Sequence, residues 1–221
     1  MNTSYRIILL LLSILTPFLL ITTAMRTALS PFFVNIEYHL PNFPPDTYGF
    51  TTEERLEWAN YSIQYLLGKL SKQEFSTLET PNGTRLFNER EISHMIDVHD
   101  LTIDMVTTWQ ILLVFFSIGL FLAWKNNHCY PFVHALENGA KLSIMITIGI
   151  FVYVLVNFNQ LFTIFHQIFF EGDSWLFYLS DTLIRLFPIK FWQDLFIYIG
   201  SFCIFISLIL LIIGRSFMKK R

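Results

Sequence analysis

Four apolar segments, residues 7–25, 105–124, 142–165 and 195–214, each have the length needed to cross a bilayer core, which takes about 20 helical residues. Lipid offers backbone groups no hydrogen-bond partners, so such segments must be helices or strands of a closed barrel. Unbroken apolar runs of this length, without period-two alternation, select helices. The expected fold is an all-α integral membrane protein with four transmembrane helices, residues 1–221 forming a single membrane domain. The chain is 53% hydrophobic and 14% charged, with a mean hydropathy of +0.50, against about 25% charged in a soluble domain. A net charge of −2 supplies no basic patch for nucleic acid. The first segment resembles a secretory signal, but its apolar run exceeds the usual 7–15 residues or so and no A-x-A site follows. It reads as an uncleaved span.

Basic residues in the short flanks set the orientation. Arg6, the 125–141 loop with Lys125 and Lys141, and the tail residues Arg215, Lys219, Lys220 and Arg221 share one side, opposed only by Glu137. That side is expected to be cytoplasmic, as are both termini. Residues 26–104 carry twelve Asp and Glu against six Lys and Arg, which makes them an extracytoplasmic insertion. Residues 166–194 form the second outer segment. Trp109 and Trp192 mark the outer boundary and Trp124 the inner one, as interfacial rings do. Cys129 in the cytoplasmic loop and Cys203 in the fourth span differ in depth, so no disulfide joins them. His128, Cys129 and His134 lack the spacing of a metal site. The spans carry almost no ionisable groups at mid-membrane, unlike a transporter.

Within the 26–104 insertion, the proline-rich stretch 39–45 is extended. Thr51 with Glu54 forms a capping box, and Leu56, Ala59, Ile63, Leu66 and Leu67 before Gly68 predict a helix with a glycine stop. Residues 81–84 form a turn with a short strand possible on either side. From Glu89 the chain runs without Gly or Pro into the second span, which predicts one continuous helix. His94 and Asp97 are then i and i+3 neighbours, the carboxylate close enough to hold the imidazole. His166 ends the otherwise uncharged third span, where an ionisable side chain is costly and serves a cavity or partner. Beyond it, residues 171–188 are too apolar for a solvated loop. Asp173 as cap and Pro188 as terminator predict an interfacial helix, with Ser174, Asp181 and Arg185 as a polar stripe. Asp181 and Arg185 form an ion pair, or Arg185 contacts an anion.

The combination Phe50-Thr51-Thr52-Glu53-Glu54-Arg55, Glu91 with His94-Met95 and Asp97-Val98, Phe169-Phe170, Gly172-Asp173-Ser174-Trp175, Asp181 through Pro188 and Phe191-Trp192 resembles the lipoprotein intramolecular transacylases of low-GC Gram-positive bacteria. The likeness extends over nearly the whole chain. It implies an acyltransferase of the bacterial cytoplasmic membrane, multi-pass, with its site on the extracytoplasmic side among membrane lipids. Its substrates would be diacylglyceryl-modified lipoproteins, the sn-2 acyl chain passing to the cysteine α-amine to give the lyso-form. The family's two functional histidines map onto His94 and His166.

Two histidines suit that chemistry. An α-amine with a pKa of about 8 must lose a proton to attack an ester, and the departing alkoxide needs one. Donor and acceptor lie in one substrate, so proximity is supplied without a covalent acyl-enzyme. His94 is assigned as base and His166 as acid, the reverse remaining open. Asp97 would orient His94, and Arg185 or a helix N-terminus would stabilise the oxyanion. No cofactor or metal is called for, and G-x-S-x-G, H-E-x-x-H and Walker motifs are absent from the sequence. The alternatives are a metal-dependent membrane hydrolase with His94, Asp97 and His166 as ligands, and a non-catalytic membrane sensor or assembly factor.

Overall fold

The computed structural model describes residues 3–219. Lys220 and Arg221, which enter the orientation argument, lie outside them. The described chain forms eight helices: α1 (Thr3–Ala28), α2 (Pro31–Tyr38), α3 (Thr52–Leu66), α4 (Lys72–Ser76), α5 (Glu89–Lys125), α6 (Cys129–Phe169), α7 (Thr182–Leu186) and α8 (Ile189–Lys219). Helices α1, α5, α6 and α8 are long and apolar enough to cross a membrane. The possible strand pair around residues 81–84 is a single antiparallel bridge between Glu79 and Arg85. Gly83 closes its turn at φ +75°, a backbone conformation open to glycine without cost.

The chain divides into two compact units, the first comprising Met1–Met25, Val106–Val156 and Ile197–Arg221. Small residues set its packing, because helices in lipid gain little from burying apolar surface and depend on close approach. Pro17 lies inside α1 and has no N–H for the Ser13 carbonyl. That carbonyl lies against Gly139, where an added β-carbon would be 2.8 Å from it and would overlap Thr16. A β-carbon on Gly200 would meet the Phe151 ring. Leu12, Phe116, Ala123, Phe132 and Ala135 form the buried cluster of this unit.

The second unit comprises Arg26–Met105 and Asn157–Phe196. Its core gathers Trp58, Tyr65, Phe75, Phe87, Ile92, Met95 and Leu186, among others. The Thr51–Glu54 capping box starts α3 as expected, and Ser71 with Glu74 repeats the device at α4. Gly68, at φ +68°, follows α3. Long-range side-chain bonds to backbone then tie the segments together. Arg55, 3% exposed, donates to the carbonyls of Pro44 and Arg185, each at 2.9 Å. Tyr38 Oη donates to Leu186 O and Thr182 Oγ1 to Leu86 O, both at 2.5 Å.

The segment after α6 departs from the expected interfacial helix starting at Asp173. Gly172 adopts φ +63°, a turn links Leu176 N to Asp173 O, and only the five residues of α7 are helical. The chain breaks there because Asp181 turns its carboxylate back onto Tyr178 N at 2.8 Å and so places the cap eight residues later than Asp173.

Candidate active site

The N-terminus of α5 is built around a buried acid. Asn88 Oδ1 accepts from Glu91 N at 3.0 Å, and Glu91 Oε2 accepts from Asn88 N at 2.8 Å, a reciprocal cap for α5. The other oxygen of Glu91 accepts from Leu183 N at 2.6 Å. One carboxylate thus serves the N-termini of α5 and α7, where unpaired N–H groups and helix dipoles favour negative charge. The sequence signal was Asn88 three residues before Glu91. The Glu91 link to Leu183 leaves no local pattern, since 92 positions separate them.

That cap fixes the register of α5. Ile92 and Met95 enter the core, and His94, one step round the helix, is buried at 8% exposure. His166, near the end of α6, is buried at 6%. The helix that carries it restarts within α6, where Asn157 leaves helical geometry with φ −157° and ψ 77°. Asn157 Oδ1 accepts from Gln160 N at 3.1 Å, and its amide donates to Gln160 Oε1 at 3.3 Å, so Asn157 caps the last turns that present His166. Asn157 and Gln160 are polar residues in an apolar run; read as a cap rather than as interruptions, they forecast this break.

The two imidazoles, 72 positions apart in sequence, come together with ring centroids 6.0 Å apart and planes inclined by 23°. Aromatic rings surround them. Phe170 lies 4.8 Å from His94 and 5.4 Å from His166, Phe177 5.4 Å from His94, and Phe162 and Trp175 4.1 and 4.9 Å from His166. His166 Nδ1 is 2.8 Å from the Phe162 carbonyl. A carbonyl only accepts, so Nδ1 carries the proton and the neutral ring presents a lone pair at Nε2. His94 Nδ1 is buried without a partner. Two imidazolium charges this close in apolar surroundings would repel, so the pair handles one proton at a time.

The expected supporting residues are placed differently. Asp97 is exposed, and with His94 Nδ1 unpartnered it does not hold that imidazole; the i, i+3 offset leaves one side chain facing the pocket and the other facing outward. Asp181 and Arg185 do not pair. Asp181 accepts from Asn88 Nδ2 at 3.2 Å, whereas Arg185 binds Asp46 through two bonds of 3.1 and 2.9 Å and stacks on Phe50 at 3.1 Å. Burial pushes the Asp46 carboxyl up, but the Arg185 bonds, with help from the N–H groups of Phe50 and Tyr48, hold it below its ordinary value. Arg185 is thereby engaged in a pair with Asp46 and not with Asp181. Among the described residues, no three His, Cys, Asp or Glu side chains come together as a metal-binding group, so the His94, Asp97 and His166 ligand set is not assembled.

Residues 8–192 match the family described as lipoprotein intramolecular transacylase Lit. The chain belongs to that family. It is an acyltransferase family, and the match extends over both compact units. An uncharacterized protein of Aquifex aeolicus (strain VF5) is 33% identical over 220 residues, 98% of each chain. The membrane integral Lit of Bacillus cereus superposes with a TM-score of 0.81 at 23% identity, covering 97% of this chain and 96% of that one. A form of that protein with a histidine changed to alanine gives 0.75 at 22% identity, over 97% and 94%. The shared fold is a membrane-integral helical one.

Proposed function

We propose that the protein moves the sn-2 acyl chain of a diacylglyceryl-cysteine lipoprotein onto the cysteine α-amine, with His94 and His166 carrying the proton. The observation that supports this most directly is the buried, aromatic-walled imidazole pair. The tautomer held by the Phe162 carbonyl favours the reverse of the assignment made from the sequence: His166 Nε2 is the base and His94 the acid. The base takes the amine proton as nitrogen attacks the ester carbon. His94 receives that proton and passes it to the glyceryl oxygen as the C–O bond breaks. Both rings are neutral before and after, one amide forms, one ester is lost and one hydroxyl appears. The aromatic rings packed around the pair exclude water, which would otherwise hydrolyse the ester. The reaction needs no metal or cofactor. This part of the protein faces the extracytoplasmic side, and both termini are cytoplasmic.

Tandem mass spectrometry of an N-terminal lipopeptide tests the reading. The expected fragment is an N-acyl cysteine with one remaining glyceryl ester, formed by the protein in a host otherwise lacking it and lost in His94→Gln and His166→Gln. Absence of that fragment with a folded, inserted protein would overturn the proposal. A cysteine label reaching position 94 from the cytoplasm would overturn the topology.

A further inference from the structure

Attack on an ester leaves negative charge on the carbonyl oxygen, and among the rings around the imidazole pair is a buried donor with nothing to bind. Trp175 Nε1 is buried and has no hydrogen-bond partner. A buried N–H without an acceptor costs free energy and calls for an explanation. Indole nitrogen donates and never accepts, so the group that completes it must be an acceptor. The Trp175 ring lies 4.9 Å from that of His166, which puts the indole that carries the unused donor beside the base.

The segment that carries the donor is tied down on both sides. Arg90 Nη2 donates to the Asp173 carbonyl at 2.6 Å, on one side of Trp175. On the other, Tyr178 N donates to Asp181, which Asn88 holds in turn. Arg185, the residue first assigned to the oxyanion, is bound by Asp46. We propose that Trp175 Nε1–H is the oxyanion donor of the acyl transfer, an assignment that rests on the transacylase reading above. As the amine nitrogen bonds to the ester carbon, the carbonyl π pair moves to oxygen and is met by the indole N–H. When the glyceryl C–O bond breaks, that pair re-forms the carbonyl of the new amide. The indole neither gains nor loses its proton.

The test replaces Trp175 with 3-benzothienylalanine, which keeps the bicyclic shape and puts sulfur where the N–H was. Transacylation of a synthetic diacylglyceryl lipopeptide is followed in parallel with binding of a phosphonate analogue, whose anionic oxygen stands in for the oxyanion. Loss of one such donor typically lowers kcat by about 100-fold or more. The expected result is a loss of that order with KM within about threefold, and a matching loss of affinity for the phosphonate. A purely structural role would move KM and the melting temperature instead. Trp175→Phe should show the same split between kcat and KM. Retention of kcat in either variant, beside an active wild type, would overturn the Trp175 assignment alone. A wild type that binds the lipopeptide and never forms the N-acyl product would overturn the transacylase reading itself.

Discussion

Both units carry many local side-chain hydrogen bonds, and they differ in the kind of side chain that makes the long-range ones. In the first unit the α1 hydroxyls bond their own helix, Ser13 to Leu9, Thr16 to Leu12 and Thr23 to Leu19, and Ser13 also reaches the Ala135 carbonyl at 2.9 Å. In the second, beside the local bonds, phenolic and charged side chains join distant segments, as Tyr38 does with Leu186, Arg55 with Arg185 and Glu91 with Leu183. Apolar helices in lipid satisfy their own backbones and leave lipid to cover large exposed residues such as Leu155 and Val156. Positioning two histidines requires named partners at long range. The first unit is therefore specified by a pattern many sequences can supply, and the second by a few particular side chains.

The largest effects should separate the two regions by function. His166→Gln is expected to lower transacylation by about 10³-fold or more, within the range for loss of a general base. Leu155→Ala, at a position 85% exposed in the first unit, should leave the rate unchanged. Product formation at equal protein levels checks both. A large loss at Leu155 would mean the regions are not separable in this way. Next comes stability. Arg55→Met strands the carbonyls of Pro44 and Arg185 in buried surroundings and removes a cation held over Tyr38 and Phe43. Bonds to charged groups are worth about 1.5–3 kcal/mol each, so a loss of about 3 kcal/mol is expected in detergent unfolding.

The same contrast explains what could be read from the sequence. Hydropathy alone marks the four long helices, because crossing lipid constrains length and polarity and little else. The Thr51–Glu54 box and the Gly68 stop are equally legible, since local spacing encodes them. His94 and His166 stand out as ionisable groups beside apolar runs, and their pairing is a three-dimensional fact that topology could only suggest. The supporting roles were not legible. Spacing along a helix offers Asp97 to His94 at i+3 and Asp181 to Arg185 at i+4, but Asp46 takes Arg185, Asn88 takes Asp181, and Asp97 remains exposed. Helix spacing offers possible pairs, and a better partner elsewhere in the fold decides among them.

A smaller effect probes the first unit on its own terms. Gly139→Val should cost about 2 kcal/mol, in the range for overpacking, since its side chain would collide with Thr16 and the Ser13 carbonyl. Gly149→Ala, with nothing within 4 Å of its added carbon, should be neutral or slightly stabilising. Equal melting temperatures for wild type and Gly139→Val would remove close helix approach as the organising feature of that unit.

The smallest expected effect is a pH dependence in the second unit. Glu37 is buried with one carboxylate oxygen unpartnered. Burial, then a hydrogen bond to Asp194 and its charge, pushes the Glu37 carboxyl up to about 8, against the opposing pull of Lys190. Lys190 itself pairs with Asp194. With the folded value above the unfolded one, the folded state binds the extra proton, so this contribution is full below about pH 4.5 and declines as pH rises through about 8. Glu37→Gln supplies a permanent N–H donor in place of the carboxyl proton. It should therefore raise the melting temperature by a few degrees at pH 9, a shift that corresponds to about 1 kcal/mol, and leave it nearly unchanged at pH 4, where the folded and unfolded carboxyls are both largely protonated. Thermal unfolding at the two pH values reads the difference, and an equal gain at both would mean that folding takes up no proton at Glu37.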